Sequence, residues 1–146
     1  MPDAIIFDLD GTIAKSKSPV TPEMGALIAK LAQRTFVAVM SGGSYKQYEK
    51  QFLPGMPAGE DYRRLFLFPT SAAQCYSWQD GTWTLEYDNE LSAEERAKVL
   101  SALHDALAET GFDKPPPQLW GEQTEDRGSQ ITWSALGQEA PYEIKK

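Results

Sequence analysis

The sequence predicts an α/β protein: a core with a parallel sheet of three strands, then a smaller α+β part with antiparallel strands. Three observations carry this. Residues 4–7, 35–40 and 65–68 are short, continuous apolar runs, the pattern of strands buried in a parallel sheet. A capped helix lies between the first two, and strand, helix, strand in that order makes a right-handed crossover with parallel strands. The texture changes at Trp78, after which a hairpin signal, one long helix and two alternating segments follow. The expected division is 1–77 for the core and 78–146 for the second part.

The elements follow in order. Ala4-Ile5-Ile6-Phe7 is a strand that runs into Asp8-Leu9-Asp10-Gly11-Thr12. Successive strand residues point to opposite faces, so Asp8 and Asp10 share a side and Leu9 takes the other. Gly11 permits a sharp turn there. Ligands of open α/β sheets bind at the carboxyl ends of strands. Two carboxylates so placed repel each other, and a hard cation such as Mg²⁺ is the usual remedy. Lys15 and Lys17 follow in a polar loop and could attract phosphate, although solvated loop lysines are common. Thr21-Pro22-Glu23 starts a helix to about Gln33, with Thr as N-cap and Pro at the first position.

The second strand ends in Ser41-Gly42-Gly43-Ser44, small residues whose backbone N–H groups suit a phosphate, although a plain turn reads the same way. A helix from Tyr45 to Leu53 is broken by Pro54-Gly55. Arg63-Arg64 reads as a solvated start to the third strand, which Pro69 stops. Cys75 is the lone cysteine, so there is no disulfide framework or thiolate metal cluster, and it reads as a small packed residue. Asp80-Gly81 centres a β-hairpin. Ser92 with Glu95 makes a capping box, Val99, Leu100, Leu103, Ala106 and Leu107 form an apolar helix face, and Gly111 is the C-cap. His104 reads as a surface or half-buried histidine. Beyond the stiff Pro115–Pro117 run, residues 122–127 and 130–135 read as two strands around Gly128-Ser129.

The bounds are consistent with one medium domain or a domain plus part of another in 146 residues. A net charge of −7 and a pI near 4.7 argue against a nucleic-acid surface. The start has no basic leader and no run reaches membrane-spanning length, so a cytoplasmic protein without membrane or nucleic-acid partners is expected.

Phe7-Asp8-Leu9-Asp10-Gly11-Thr12 resembles the DxDGT signature of the haloacid-dehalogenase superfamily of phosphatases and phosphomutases, which has a Rossmann-like core. The resemblance implies that Asp8 is a nucleophile carrying a phosphoaspartyl intermediate and that Asp10 is the general acid/base. It also implies a Mg²⁺ site on Asp8 and Asp10, with the metal on the Asp8 carboxylate and the Asp10 carbonyl. By position, Ser41 matches the family's phosphate-binding Ser or Thr, with Gly42 and Gly43 beside it. Ser44 is its rival, because phosphomannomutases carry Gly-Gly-Ser in this loop. Residues 125–138 resemble a phosphomannomutase cap, in which Arg127, Ser134 and Gly137 match and Arg127 would bind substrate phosphate or sugar. Two departures qualify this. Gln138 stands where the family has a second cap arginine, which favours a sugar-phosphate phosphatase over a mutase. The family's later Lys and metal-binding acids have no counterpart here. A missing C-terminal half or a partner chain is therefore expected, with one face of the core incompletely covered, a partial cap, and little activity in this chain alone. A phosphomannomutase-like transferase and a non-catalytic binding module are the alternatives.

Overall fold

The structure, a computed structural model, describes residues 2–16 and 18–144. Lys17 lies outside the described residues. The chain divides into two compact units, Met1–Asn89 and Glu90–Lys146.

The first unit is built on one five-stranded sheet in the order β1-β2-β3-β4-β5. β1 (Ala4–Asp8), β2 (Phe36–Met40) and β3 (Leu65–Phe68) are parallel, as their continuous apolar character requires. β4 (Gln74–Gln79) pairs antiparallel with β3, and β5 (Thr82–Asp88) with β4. The β4–β5 turn has φ of 50° at Asp80 and 83° at Gly81, the signature of a type I′ hairpin turn. The sequence boundary at 77/78 cut through this hairpin. The units divide after Asn89 because β4 joins the core sheet by main-chain hydrogen bonds to β3 and β5 extends it by pairing with β4.

Two helices cover one sheet face. α1 (Pro22–Ala32) starts where Thr21 Oγ1 accepts the Met24 N–H at 3.3 Å. α2 (Tyr45–Gln51) is two residues shorter than expected, because the chain tightens into a 3₁₀ turn at Leu53–Gly55. That turn packs close: a Cβ on Gly25 of α1 would lie 1.9 Å from the Gly55 carbonyl oxygen. Leu9, Val37, Val39, Leu65, Leu67, Tyr48 and Phe52 form the buried centre of this face. The opposite face is less fully covered: Ile6 is 66% exposed and Phe36 51%, while Ala38, Met40, Phe66 and Phe68 are half-buried. β1 is also the sheet's edge strand.

Buried Tyr48 ties α2 to the sheet. Its hydroxyl proton is shared between the carbonyl oxygens of Val39 (3.0 Å) and Phe68 (3.2 Å). Burial pushes its phenol well above the ordinary range, with the charges of Asp8 and Asp10 adding to the shift. Tyr45 stacks on Tyr76 at 3.9 Å, and burial, then Glu49, raises its phenol to about 12.

In the second unit the long helix Ala93–Thr110 carries the expected capping box, Ser92 with Glu95, and ends at left-handed Gly111. None of its residues is buried, so its apolar face is wetter than the pattern predicts. β6 (Thr124–Asp126) and β7 (Ile131–Trp133) pair antiparallel, each shorter than predicted. No helix among the described residues is long and apolar enough to cross a membrane.

A phenol whose pKa is raised by folding stays protonated in the fold while the unfolded chain ionises from about pH 10. Its stabilisation is complete below pH 10 and declines as the pH rises toward 12. Urea melts across that window should show the decline, and the Tyr45→Phe/Tyr48→Phe variant should flatten it. An unchanged alkaline limb in the variant would assign it to other groups.

Candidate active site

The register brings the functional loops level. Asp8 pairs with Met40, and Met40 with Phe68, so the three parallel strands end at one height. The Leu9 N–H donates to the Met40 carbonyl (2.9 Å) and the Ser41 N–H to that of Phe68 (3.1 Å), which carries the alignment one residue past the strands. Asp8, Asp10 and the Ser41-Gly42-Gly43 loop therefore gather at the carboxyl edge of the sheet.

Leu9 is buried in the core, while Asp8 is exposed and Asp10 half-buried on the other side of the chain, as strand alternation requires. The chain then turns sharply, with φ of +80° at Gly11, and closes on itself through Gly11 N–H to Ala14 O (2.7 Å) and Ala14 N–H to Leu9 O (3.1 Å). Asp10 is clamped by α2. Its Oδ2 accepts from Gln47 Nε2 and its Oδ1 from Gln51 Nε2, both at 3.0 Å. Sequence reasoning missed these glutamines. The available signal was two amides at i and i+4 on the helix that leaves the Gly-Gly loop.

Buried Ser41 accepts the Gly43 N–H on its Oγ at 3.0 Å and retains its own proton as a donor. Gly43 is buried with its N–H committed to Ser41, whereas Gly42 is exposed. Ser44, the rival candidate, precedes α2 and makes no side-chain cap bond to the helix.

A strained turn backs this loop. Thr70, Ser71 and Ala72 have φ of 49°, 56° and 69°, three consecutive non-glycine residues in the left-handed region. Such residues cost about 1–3 kcal/mol each and concentrate at functional sites. The turn donates Thr70 N–H to Gly43 O (2.8 Å) and Ser71 N–H to Ser41 O (2.9 Å). No local pattern predicts it, because Thr-Ser-Ala has none of the usual left-handed residues.

Arg127 lies in the second unit, its guanidinium largely buried and paired with Glu125 at 2.6 Å. Gln138 donates its amide to the Gln123 carbonyl at 3.0 Å, so it has a structural task in that unit. Ser134 Oγ donates to Gly137 O at 2.9 Å. Cys75 is buried and its thiol pushed up, chiefly by that burial, in keeping with a packed residue. Arg63 pairs with Asp61 at 2.7 Å on an exposed surface. A broad open cleft of about 600 Å³, lined by Asp61, Arg63, Trp78 and Asp80, lies at the start of β3, away from the acids.

The donor set fits a hard divalent cation in kind but supplies only part of a shell. Asp8 offers an exposed carboxylate, and the Asp10 carboxylate is occupied by amides. Among the described residues no group of three or more His, Cys, Asp or Glu could hold a metal.

No family model matches the chain. It is 30% identical to mouse (Mus musculus) phosphomannomutase 1 over 61 residues, 42% of this chain and 23% of that protein. It superposes on a haloacid dehalogenase-like hydrolase from B. subtilis with a TM-score of 0.55 at 22% identity, covering 72% of this chain and 34% of that one. A mutant IMP-nucleotidase of Plasmodium falciparum, solved with IMP bound, gives a TM-score of 0.59 at 13% identity over 97% of this chain and 42% of that one. The chain thus spans less than half the length of each of these relatives. Its fold is that of the haloacid-dehalogenase-like hydrolases.

Ser41→Ala leaves the buried Gly43 N–H without its acceptor and should cost about 1–3 kcal/mol in urea denaturation. A stability within about 0.5 kcal/mol of the parent, the usual range for a neutral surface change, would show that this bond does not hold the loop.

Proposed function

We propose that the chain carries the nucleophile half of a phosphoryl-transfer site, most simply that of a sugar-phosphate phosphatase. The observation that carries this reading is the pairing of an exposed Asp8 with a clamped Asp10 at the end of β1, level with the Ser41 loop.

In this reading Asp8 attacks phosphorus in line, forming an aspartyl phosphate as the bond to the leaving oxygen breaks. Asp10 gives its proton to that oxygen. The resulting Asp10 carboxylate then takes a proton from water as the water oxygen attacks phosphorus and releases Asp8. Ser41 donates to a phosphoryl oxygen, with the Gly42 amide beside it. Covalent catalysis divides one difficult displacement into two easier ones. Bound Mg²⁺ would neutralise charge on the transferring group. Asp8 and the Asp10 main chain would hold it, together with donors from beyond this set.

Arg127, in the second unit, is the proposed substrate contact. An arginine fork suits a phosphate or a sugar hydroxyl, and the substrate would have to displace or share Glu125. The IMP bound by the nucleotidase neighbour is itself a phosphate monoester, which supports a phosphorylated small molecule as the ligand class. The phosphomannomutase relative supports the second reading, a mutase-like transferase, separable by a requirement for a hexose bisphosphate. Gln138, uncharged and tied to Gln123, supports the phosphatase.

The open edge of β1 and the exposed Ile6 and Phe36 are the proposed docking face for the rest of the core, supplied by a continuation of this chain or by a partner. The incomplete acid set supports the same view, as it does the third reading, a non-catalytic module. The lone buried cysteine suits a reducing, cytoplasmic setting.

Two outcomes test this. With Mg²⁺, the protein expressed from its complete reading frame should hydrolyse phosphate monoesters, and Asp8→Asn should lower kcat by at least about 10³. Turnover surviving that substitution would remove Asp8 from the chemistry. The 146-residue chain alone should turn over far more slowly, since losing a single charge-stabilising donor costs about 10²–10³. Equal turnover by the two would show that the site is complete in this chain.

A further inference from the structure

The glutamine pair on α2 has a geometry that packing alone does not require. Gln47 and Gln51 stand one turn apart on the face toward Asp10. One amide reaches each carboxylate oxygen, at 3.0 Å in both cases. The Gln47 amide also donates to Gln51 Oε1 at 2.8 Å, which closes a ring of three side chains. An ionised carboxylate only accepts, so both NH₂ groups must face it, and the linking bond then fixes the second amide's plane.

The ring is anchored from outside. Gln51 is buried, and its carbonyl accepts the Val20 N–H at 2.7 Å. Gln47 lies against Gly43: a Cβ there would come within 1.7 Å of Gln47 Oε1. The loop that is proposed to hold phosphate therefore adjoins the amide that holds Asp10.

We propose that Gln47 and Gln51 are positioning residues for the acid/base, fixing both torsions of Asp10 so that its carboxyl meets the leaving oxygen. This rests on the reading of Asp10 as proton donor. A proton must travel to the ester oxygen while the P–O bond breaks and the bond from Asp8 forms. A carboxyl free to rotate would spend most of its time misaligned. A carboxylate oxygen accepts two hydrogen bonds, so an amide on each does not bar proton exchange with substrate.

Leaving-group dependence tests the proposal, because a purely structural role would not move it. An alkyl phosphate needs its leaving oxygen protonated, whereas para-nitrophenyl phosphate departs with little help. The measurement is kcat/KM for both esters with Mg²⁺ in the protein from its complete reading frame. It covers the parent, Gln47→Met and the Gln47→Met/Gln51→Met pair. Methionine keeps the length and helix preference of glutamine without its amide. The double variant should lose roughly 10- to 100-fold on the alkyl ester, part of the 10²–10⁴ that general acid–base catalysis provides. The aryl ester should change less than about 3-fold, because its leaving group needs little protonation. Gln47→Met, at a half-buried position, should show the same split more weakly and keeps the test readable if loss of Gln51 harms folding. Equal losses on both esters, or no loss, overturn the proposal. Asp8→Asn separates the two levels: if it spares turnover, the phosphatase reading itself falls. If it abolishes turnover while the glutamine variants show no split, only the positioning role falls.

Discussion

Two like charges one residue apart must be held at the end of a strand, and the first unit is arranged around that constraint. Asp8 and Asp10 share a face because Leu9 between them enters the core. Their repulsion is met locally by two means. Asp8 faces solvent, and Asp10 is held by a pair of neutral amides. Those amides project from α2, which the Tyr48 hydroxyl ties to the sheet, and Gln47 lies against Gly43.

The strained turn after β3 braces the neighbouring loop. Thr70 and Ser71 take left-handed backbone angles and thereby place two N–H groups on the carbonyls of Gly43 and Ser41. Register, loop and turn thus form a single network at the carboxyl edge, where open α/β sheets bind their ligands. The opposite sheet face has no such network and leaves Ile6 and Phe36 in water.

Legibility followed the range of the interaction. Strands β1, β2 and β3, the Thr21 and Ser92 caps and the Asp80-Gly81 turn are set by a few neighbouring residues, and each was readable from pattern. The helix after Tyr45 was read too long, because Val20 and Gly25 draw Gly55 into a tight packing that no local signal encodes. The β4–β5 hairpin was split by a boundary placed where the texture changes at Trp78. Only its pairing with β3 places it in the core sheet. At the carboxyl edge, the shared placement of Asp8, Asp10 and Ser41 was legible because strand ends mark it. Gln47 and Gln51 were not, since an amide's role depends on a carboxylate more than thirty residues away.

The central claim is that Asp8 takes the phosphoryl group, and trapping the intermediate tests it most directly. The protein from its complete reading frame is quenched during turnover and reduced with borohydride, which converts an aspartyl phosphate to homoserine, and its peptides are then weighed. Homoserine at position 8, formed only with substrate, is the predicted result. A modified residue elsewhere, or an unmodified Asp8 during active turnover, would contradict it.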